Sequence, residues 1–110
     1  MDIKVEKVKD VSVVILEGEI NVNNASELRA ALKKLVDEGS RKISVDLENV
    51  SFIDSSGLAV LIEAVQNLEP LKGELRLCHV NASIQGIFRI TKIHKLINIY
   101  DNRELALKGF

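Results

Sequence analysis

Hydrophobic and polar positions divide this chain into segments of two different periods. Ile3, Val5 and Val8 alternate roughly with charged residues, which predicts a short, half-exposed strand at a sheet edge. Lys9-Asp10 reads as a turn, and Val11-Ser12-Val13-Val14-Ile15-Leu16 as a β-branched strand buried on both faces. Glu17-Gly18-Glu19 is expected to close that strand, and the two strands to pair as a hairpin. After a loop over Ile20–Asn23, Leu28, Ala31, Leu32, Leu35 and Val36 fall on one helical stripe. Asn24 is its expected N-cap, with Glu27 completing a capping box, and Gly39 sits where a left-handed C′ residue ends a helix.

The period then returns to two. Ile43, Val45 and Leu47 alternate with Ser44, Asp46 and Glu48, so a third strand is expected with Asp46 and Glu48 on its solvent face. A helix lies in the connection from the second strand, which implies a right-handed parallel crossover. Leu58, Leu61, Ile62, Val65 and Leu68 form a second helical stripe, and Pro70 follows to stop it. Glu74–Val80 reads as a fourth strand, and Asn81 or Ser83 can cap a short helix carrying Ile84, Ile87 and Phe88. Ile93, Leu96, Ile97 and Ile99 continue an apolar pattern in which we place a fifth strand at Ile97–Tyr100. Asp101 and Glu104 repeat the capping-box spacing ahead of a terminal helix at Asn102–Lys108. The resulting order, β-β-α-β-α-β-α-β-α, predicts one α/β domain over residues 1–110. It would be a mixed sheet of four or five strands layered with about four helices.

Composition narrows the function more than the fold. The chain has 110 residues, one common domain length, with 46% hydrophobic and 28% charged residues, as in an ordinary globular chain. Fifteen basic and sixteen acidic residues give a net charge of -1, and only Phe52, Phe88, Tyr100 and Phe110 are aromatic. Neither an electrostatic footprint nor a base-stacking surface for nucleic acid is present. No apolar run approaches the ~20 residues of a membrane span, and Met1–Glu6 does not read as a signal peptide. A single cysteine, Cys78, forms no internal disulfide and fits a reducing compartment, so a cytoplasmic protein is expected.

The chemistry concentrates at Asp54-Ser55-Ser56-Gly57, between the third strand and the second helix. Asp and Ser are preferred N-caps, Gly57 eases a tight entry, and every helix start needs such partners. A second role is compatible with the first: two hydroxyls beside free N–H groups at the positive end of a helix tolerate a phosphate. Nucleophilic catalysis is poorly supported. A hydrolase elbow reads Gly-x-Ser-x-Gly, whereas Ile53 and Asp54 precede Ser55, and neither His79 nor His94 has a carboxylate at a spacing that would make it a base. Cys78 reads as a small strand residue, and neither a phosphate-binding glycine loop nor a metal-ligand spacing is present. No enzyme activity, cofactor or metal is expected.

The stretch Phe52-Ile53-Asp54-Ser55-Ser56-Gly57-Leu58-Ala59-Val60 resembles the signature of the STAS domain family, in particular bacterial anti-sigma factor antagonists. Leu16-Glu17-Gly18-Glu19-Ile20 is similar to the segment that follows the family's second strand, and Ala25–Leu28, Gly73–Leu75 and Phe88 also agree. The resemblance covers essentially the whole chain. It implies a phosphorylation-switched binding module with Ser55 as acceptor and Ser56 as the lesser candidate. Implied partners are an anti-sigma factor that is also a serine kinase, bound when Ser55 is unphosphorylated so that a sigma factor is released, and a serine phosphatase. The surface carried over with the motif comprises Asn21, Asn23, Asp54, Ser55, Ser56, Gly57, Leu58, Ala59 and Ile62. Direct nucleic-acid or membrane binding is not implied, and the protein would be a monomer or weak dimer. Two positions depart from the family: Asn21 stands where Asp is usual, and Ala59 where Gly is frequent. The alternative role is a STAS subunit of a larger signalling assembly, or a partner module of a sensor or transporter.

Overall fold

The computed structural model describes all 110 residues. Its elements follow the order expected from the periods: β1 (Asp2–Val8), β2 (Val11–Ile20), α1 (Ala25–Asp37), β3 (Lys42–Ile53), α2 (Ser55–Leu68), β4 (Glu74–Cys78), α3 (Ala82–Ile90), β5 (Asn98–Tyr100) and α4 (Arg103–Leu107). The strands form one sheet in the order β1-β2-β3-β4-β5. β1 pairs antiparallel with β2, as expected of a hairpin, and all later neighbours are parallel.

Register explains how this sheet is covered. Val14 pairs with Val45 and Val45 with Leu77, so these apolar side chains share one face. α1 places Leu28, Leu32 and Leu35 on that face, α2 adds Leu58, Leu61, Ala64 and Leu68, and α3 extends the same core with Ile84 and Phe88. On the opposite face Ser44 pairs with Arg76 and Asp46 with Cys78. α4 and the C-terminal tail lie there: the Arg76 guanidinium donates to the carbonyls of Ala106, Lys108 and Gly109 at 2.9–3.3 Å. The same guanidinium sits 4.1 Å from the centre of the Phe110 ring.

That second layer corrects the expectation for Asp46. Glu48 is exposed, as expected, but Asp46 is buried. Arg103 of α4 reaches down to donate to Asp46 Oδ2 at 3.1 Å, and the Glu48 N–H donates to Oδ1 at 3.0 Å. Burial alone would raise the Asp46 carboxyl, but the Glu48 N–H, His79 and Arg103 together outweigh it and hold the group below the usual carboxylate range.

Several boundaries also move. β2 does not stop at Glu17-Gly18-Glu19; it runs on to Ile20 through two register shifts against β3. β4 ends at Cys78, because His79 turns into the left-handed region at φ 57°. Asn24 precedes α1 but does not cap it through its side chain, and no capping box with Glu27 forms. Instead Asn24 Oδ1 accepts from the Asn21 N–H at 2.9 Å, and its amide nitrogen donates to the Glu19 carbonyl at 2.8 Å. Asn81, rather than Ser83, caps α3, and Asn102, rather than Asp101, caps α4. Leu96 is exposed beside a 3₁₀ turn at Ile93–Lys95, which is why the apolar pattern there resists division.

Candidate functional site

β3 delivers Asp54 to the mouth of α2, beside the loop that leaves β2. The Asp54 N–H donates to the Ile20 carbonyl at 3.1 Å, extending the β2–β3 pairing past the strand ends. Asp54 Oδ1 then accepts from the N–H groups of Ser56 at 2.9 Å and Gly57 at 3.2 Å, so Asp54 is the helix cap. Its other oxygen accepts from the Val22 N–H at 3.1 Å, which ties the β2–α1 loop to the start of α2. Leu58 N–H is bonded to the Asp54 carbonyl at 3.1 Å. The expected set of free N–H groups is therefore reduced: Asp54 occupies those of Ser56, Gly57 and Leu58, and of this first turn only the Ser55 N–H has no partner.

The loop has its own geometry. Asn21 Oδ1 accepts from the Asn23 N–H at 2.9 Å, and the Asn21 carbonyl accepts from the N–H groups of Asn24 and Ala25. Asn21 thus folds the loop that carries Val22 and Asn23 towards Asp54. Asn serves there because the bond it accepts comes from a neutral N–H and requires no charge.

The nine residues carried over with the motif separate by exposure. Asn23, Ser55 and Ala59 are exposed; Asn21, Asp54, Ser56 and Ile62 are half-buried; Gly57 and Leu58 point into the core. Gly57 is fixed by space. A Cβ there would lie 2.6 Å from Ile20 Cγ2 and 2.7 Å from Ile53 Cγ1, both on fully packed side chains. Ser55, the first residue of α2, keeps its hydroxyl in solvent, and no hydrogen bond from that hydroxyl is present.

Two exposed apolar residues flank the serine that sequence reasoning passes over. Val22, in the tied loop, is 72% exposed, and Phe52, two residues before Asp54, is 44% exposed. Their signal was available: Val22 is an apolar residue among three asparagines, and Phe52 breaks the in–out alternation of β3 beside Ile53. The charge around the site is one-sided. From Val11 to Leu28 and from Ile43 to Leu71 there is no lysine or arginine, while Glu17, Glu19, Glu27 and Asp54 fall within those stretches.

Neither histidine is positioned by a carboxylate at Ser55. His94 lies in the turn after α3, with Nδ1 3.2 Å from the Phe88 carbonyl, and His79 Nδ1 is 3.0 Å from Asp46. That second pairing was not legible from spacing, nor was the convergence of Asp46, Cys78 and His79 into a potential metal-ligand cluster.

The model of the STAS domain family matches residues 2–106. The chain belongs to the STAS domain family. Among relatives, it is 30% identical over 110 residues to a candidate anti-sigma factor antagonist, BtrV, of Bordetella bronchiseptica, covering 100% of this chain and 95% of that one. It is 33% identical over 88 residues to the anti-sigma-B factor antagonist of Staphylococcus aureus, covering 80% of this chain and 82% of that one. Among STAS structures, unphosphorylated SpoIIAA superposes with a TM-score of 0.77 at 22% identity, covering 99% of this chain and 100% of that one. The phosphorylated form from Bacillus gives 0.74 at 21%, covering 94% and 96%. At that identity SpoIIAA shares the STAS fold with this chain.

Proposed function

We propose that this STAS protein is an anti-sigma factor antagonist whose partner binding is switched by phosphorylation of Ser55. Unphosphorylated, it binds an anti-sigma factor that also acts as a serine kinase, and so releases a sigma factor. Phosphate on Ser55 blocks that binding, and a serine phosphatase restores it. The names of its relatives support the antagonist role, and SpoIIAA, a protein of the same fold with unphosphorylated and phosphorylated structures, lends support to the switch. The protein acts in the cytoplasm as a monomer or weak dimer and performs no catalysis of its own.

The observation that carries the reading is the exposed, unbonded Ser55 hydroxyl at the start of α2, on a surface without a nearby cation in its own segments. Phosphorylation adds about -1.5 to -2 charges. The α2 dipole returns roughly 0.3–1 kcal/mol, offset by the neighbouring Asp54 carboxylate. Fold stability therefore changes little. Burying the same phosphate against a partner without a counter-charge costs several kcal/mol, on the order of 3–4 kcal/mol even after relaxation. That weakens binding by about two to three decades. The interface term wins, so the modification governs association and leaves the structure intact. Val22, Phe52, Ala59 and Ile62 supply the apolar part of the docking surface around Ser55, and Asn21, Asn23, Asp54 and Ser56 its polar part.

The test is to incubate the protein with serine kinases encoded in its own genome and ATP, then map phosphate by mass spectrometry. Phosphate on Ser55 that is lost in Ser55→Ala is expected. No phosphate on Ser55 with any kinase, together with unchanged partner binding by Ser55→Asp, overturns the proposal.

A further inference from the structure

On the sheet face covered by α4, away from Ser55, three side chains of metal-ligating type converge. Asp46 and Cys78 are register partners on adjacent strands, and His79 follows Cys78 directly. Their ligand atoms (a carboxylate oxygen, the thiol sulfur and a ring nitrogen) all lie within 4.8 Å of one another. His79 Nδ1 is 3.0 Å from Asp46 Oδ1 and 3.6 Å from Glu48 Oε2. A tetrahedral zinc ion with bonds of about 2.0–2.3 Å separates its ligand atoms by roughly 3.4–3.7 Å, so small side-chain adjustments would complete a site. Asp46 and Cys78 are fully buried and His79 half-buried, unlike a chance group of surface acids.

Two further observations point at a bound cation. The Ser44 hydroxyl is fully buried, makes no hydrogen bond of good geometry, and has the Cys78 sulfur as its nearest polar neighbour, where it favours the thiolate. A metal-bound thiolate would give it the strong acceptor it lacks. Asp46 is also supported in the manner of a metal ligand: Arg103 and Glu6 form a chain behind it, with Arg103 Nη2 3.1 Å from Asp46 Oδ2 and Nη1 3.5 Å from Glu6 Oε2. Oδ1 accepts from the Glu48 N–H and also faces His79.

We propose that Asp46, Cys78 and His79 bind a zinc-like divalent cation, with the exposed Glu48 carboxylate or a water as fourth ligand. Sulfur, imidazole nitrogen and carboxylate oxygen together select zinc and its neighbours over magnesium or calcium, which prefer oxygen alone. On binding, the ion takes the place between His79 Nδ1 and Asp46 Oδ1, neutral His79 carries its one ring proton on Nε2, and the Cys78 thiol proton leaves to solvent. With water as the fourth ligand, one carboxylate and one thiolate balance the two charges of the ion. The site would join β3, β4 and, through Arg103, α4 at a place distinct from Ser55.

Cobalt(II) tests this on the whole reduced protein. One equivalent should give the visible bands of tetrahedral cobalt with a near-ultraviolet thiolate-to-cobalt band, and zinc should bleach both. Cys78→Ser should remove the thiolate band, and His79→Gln should weaken binding at least tenfold. Circular dichroism of each variant shows whether it is folded; if Cys78→Ser is not, His79→Gln alone decides. Absence of the tetrahedral spectrum, or a cobalt spectrum and affinity unchanged in His79→Gln, overturns the proposal.

Discussion

Asp54 has a heavier role than a helix cap alone, because its two oxygens serve two segments: Oδ1 holds the N–H groups of Ser56 and Gly57, and Oδ2 holds Val22. Asp54→Ala should cost about 1–2 kcal/mol in thermal or denaturant unfolding. It should also speed amide exchange at Val22, Ser56 and Gly57 together; faster exchange on the helix side alone would contradict the tie to the loop. Gly57 acts through the space it leaves. Ile20 and Ile53 close over it, so Gly57→Ala should destabilise by roughly 1–3 kcal/mol through overpacking, even though alanine is the better helix former. An unchanged or higher melting temperature would mean that the two isoleucines can move aside. The motif residues thus divide their work: Asp54 and Gly57 shape the turn, and Ser55 faces outward from it.

Among the elements, the C-terminal layer depends on Arg76. Its guanidinium bonds Glu74 and three carbonyls of the tail and lies between Tyr100 and Phe110, while only 7% of the residue is exposed. Arg76→Ala should destabilise by about 2–4 kcal/mol, since it orphans the buried Ala106 carbonyl and removes packing; a loss under ~0.5 kcal/mol, typical of surface positions, would show that α4 docks without it. The hydrogen bond from Arg76, helped by Asn98 and opposed by partial burial, holds the Glu74 carboxyl below its ordinary value of 4.5. A depressed acid stabilises the fold above its unfolded value and loses that contribution as pH falls through the folded one. Acid unfolding below about pH 4.5 should therefore be less steep in Glu74→Gln; identical pH profiles would refute the assignment. The groups facing Glu74 are Arg76 and Asn98, and its half-exposed side chain keeps the effect small.

The order of strands and helices was legible because the period switches cleanly between two and 3.6, as at Ile43–Leu47 and Leu58–Leu68. What local pattern could not carry was the second layer. Asp46 alternates like a solvent-facing residue, and only the docking of Arg103, fifty-seven positions away, buries it. Asn24 has the composition of a cap, yet the fold of its loop offers it Asn21 and Glu19 as nearer partners. The serine site was visible as a motif; Val22 and Phe52 left a weaker signal as apolar residues in polar surroundings, and how far they are exposed depends on how β2 and β3 end together.

For the molecule as a whole, the fold acts as a frame holding the exposed Ser55 hydroxyl on a surface without lysine or arginine in its own segments. Core packing on one face and the arginine-tied layer on the other leave α2 little freedom, so a charge added at its start acts on a partner more than on the frame. The most direct measurement is calorimetric titration of the anti-sigma factor with this protein, before and after stoichiometric phosphorylation of Ser55, alongside the melting temperature of each form. The account predicts binding weakened by about two to three decades with a melting temperature shifted by no more than a few degrees. Phosphorylated protein that binds as tightly as the unmodified form would contradict it.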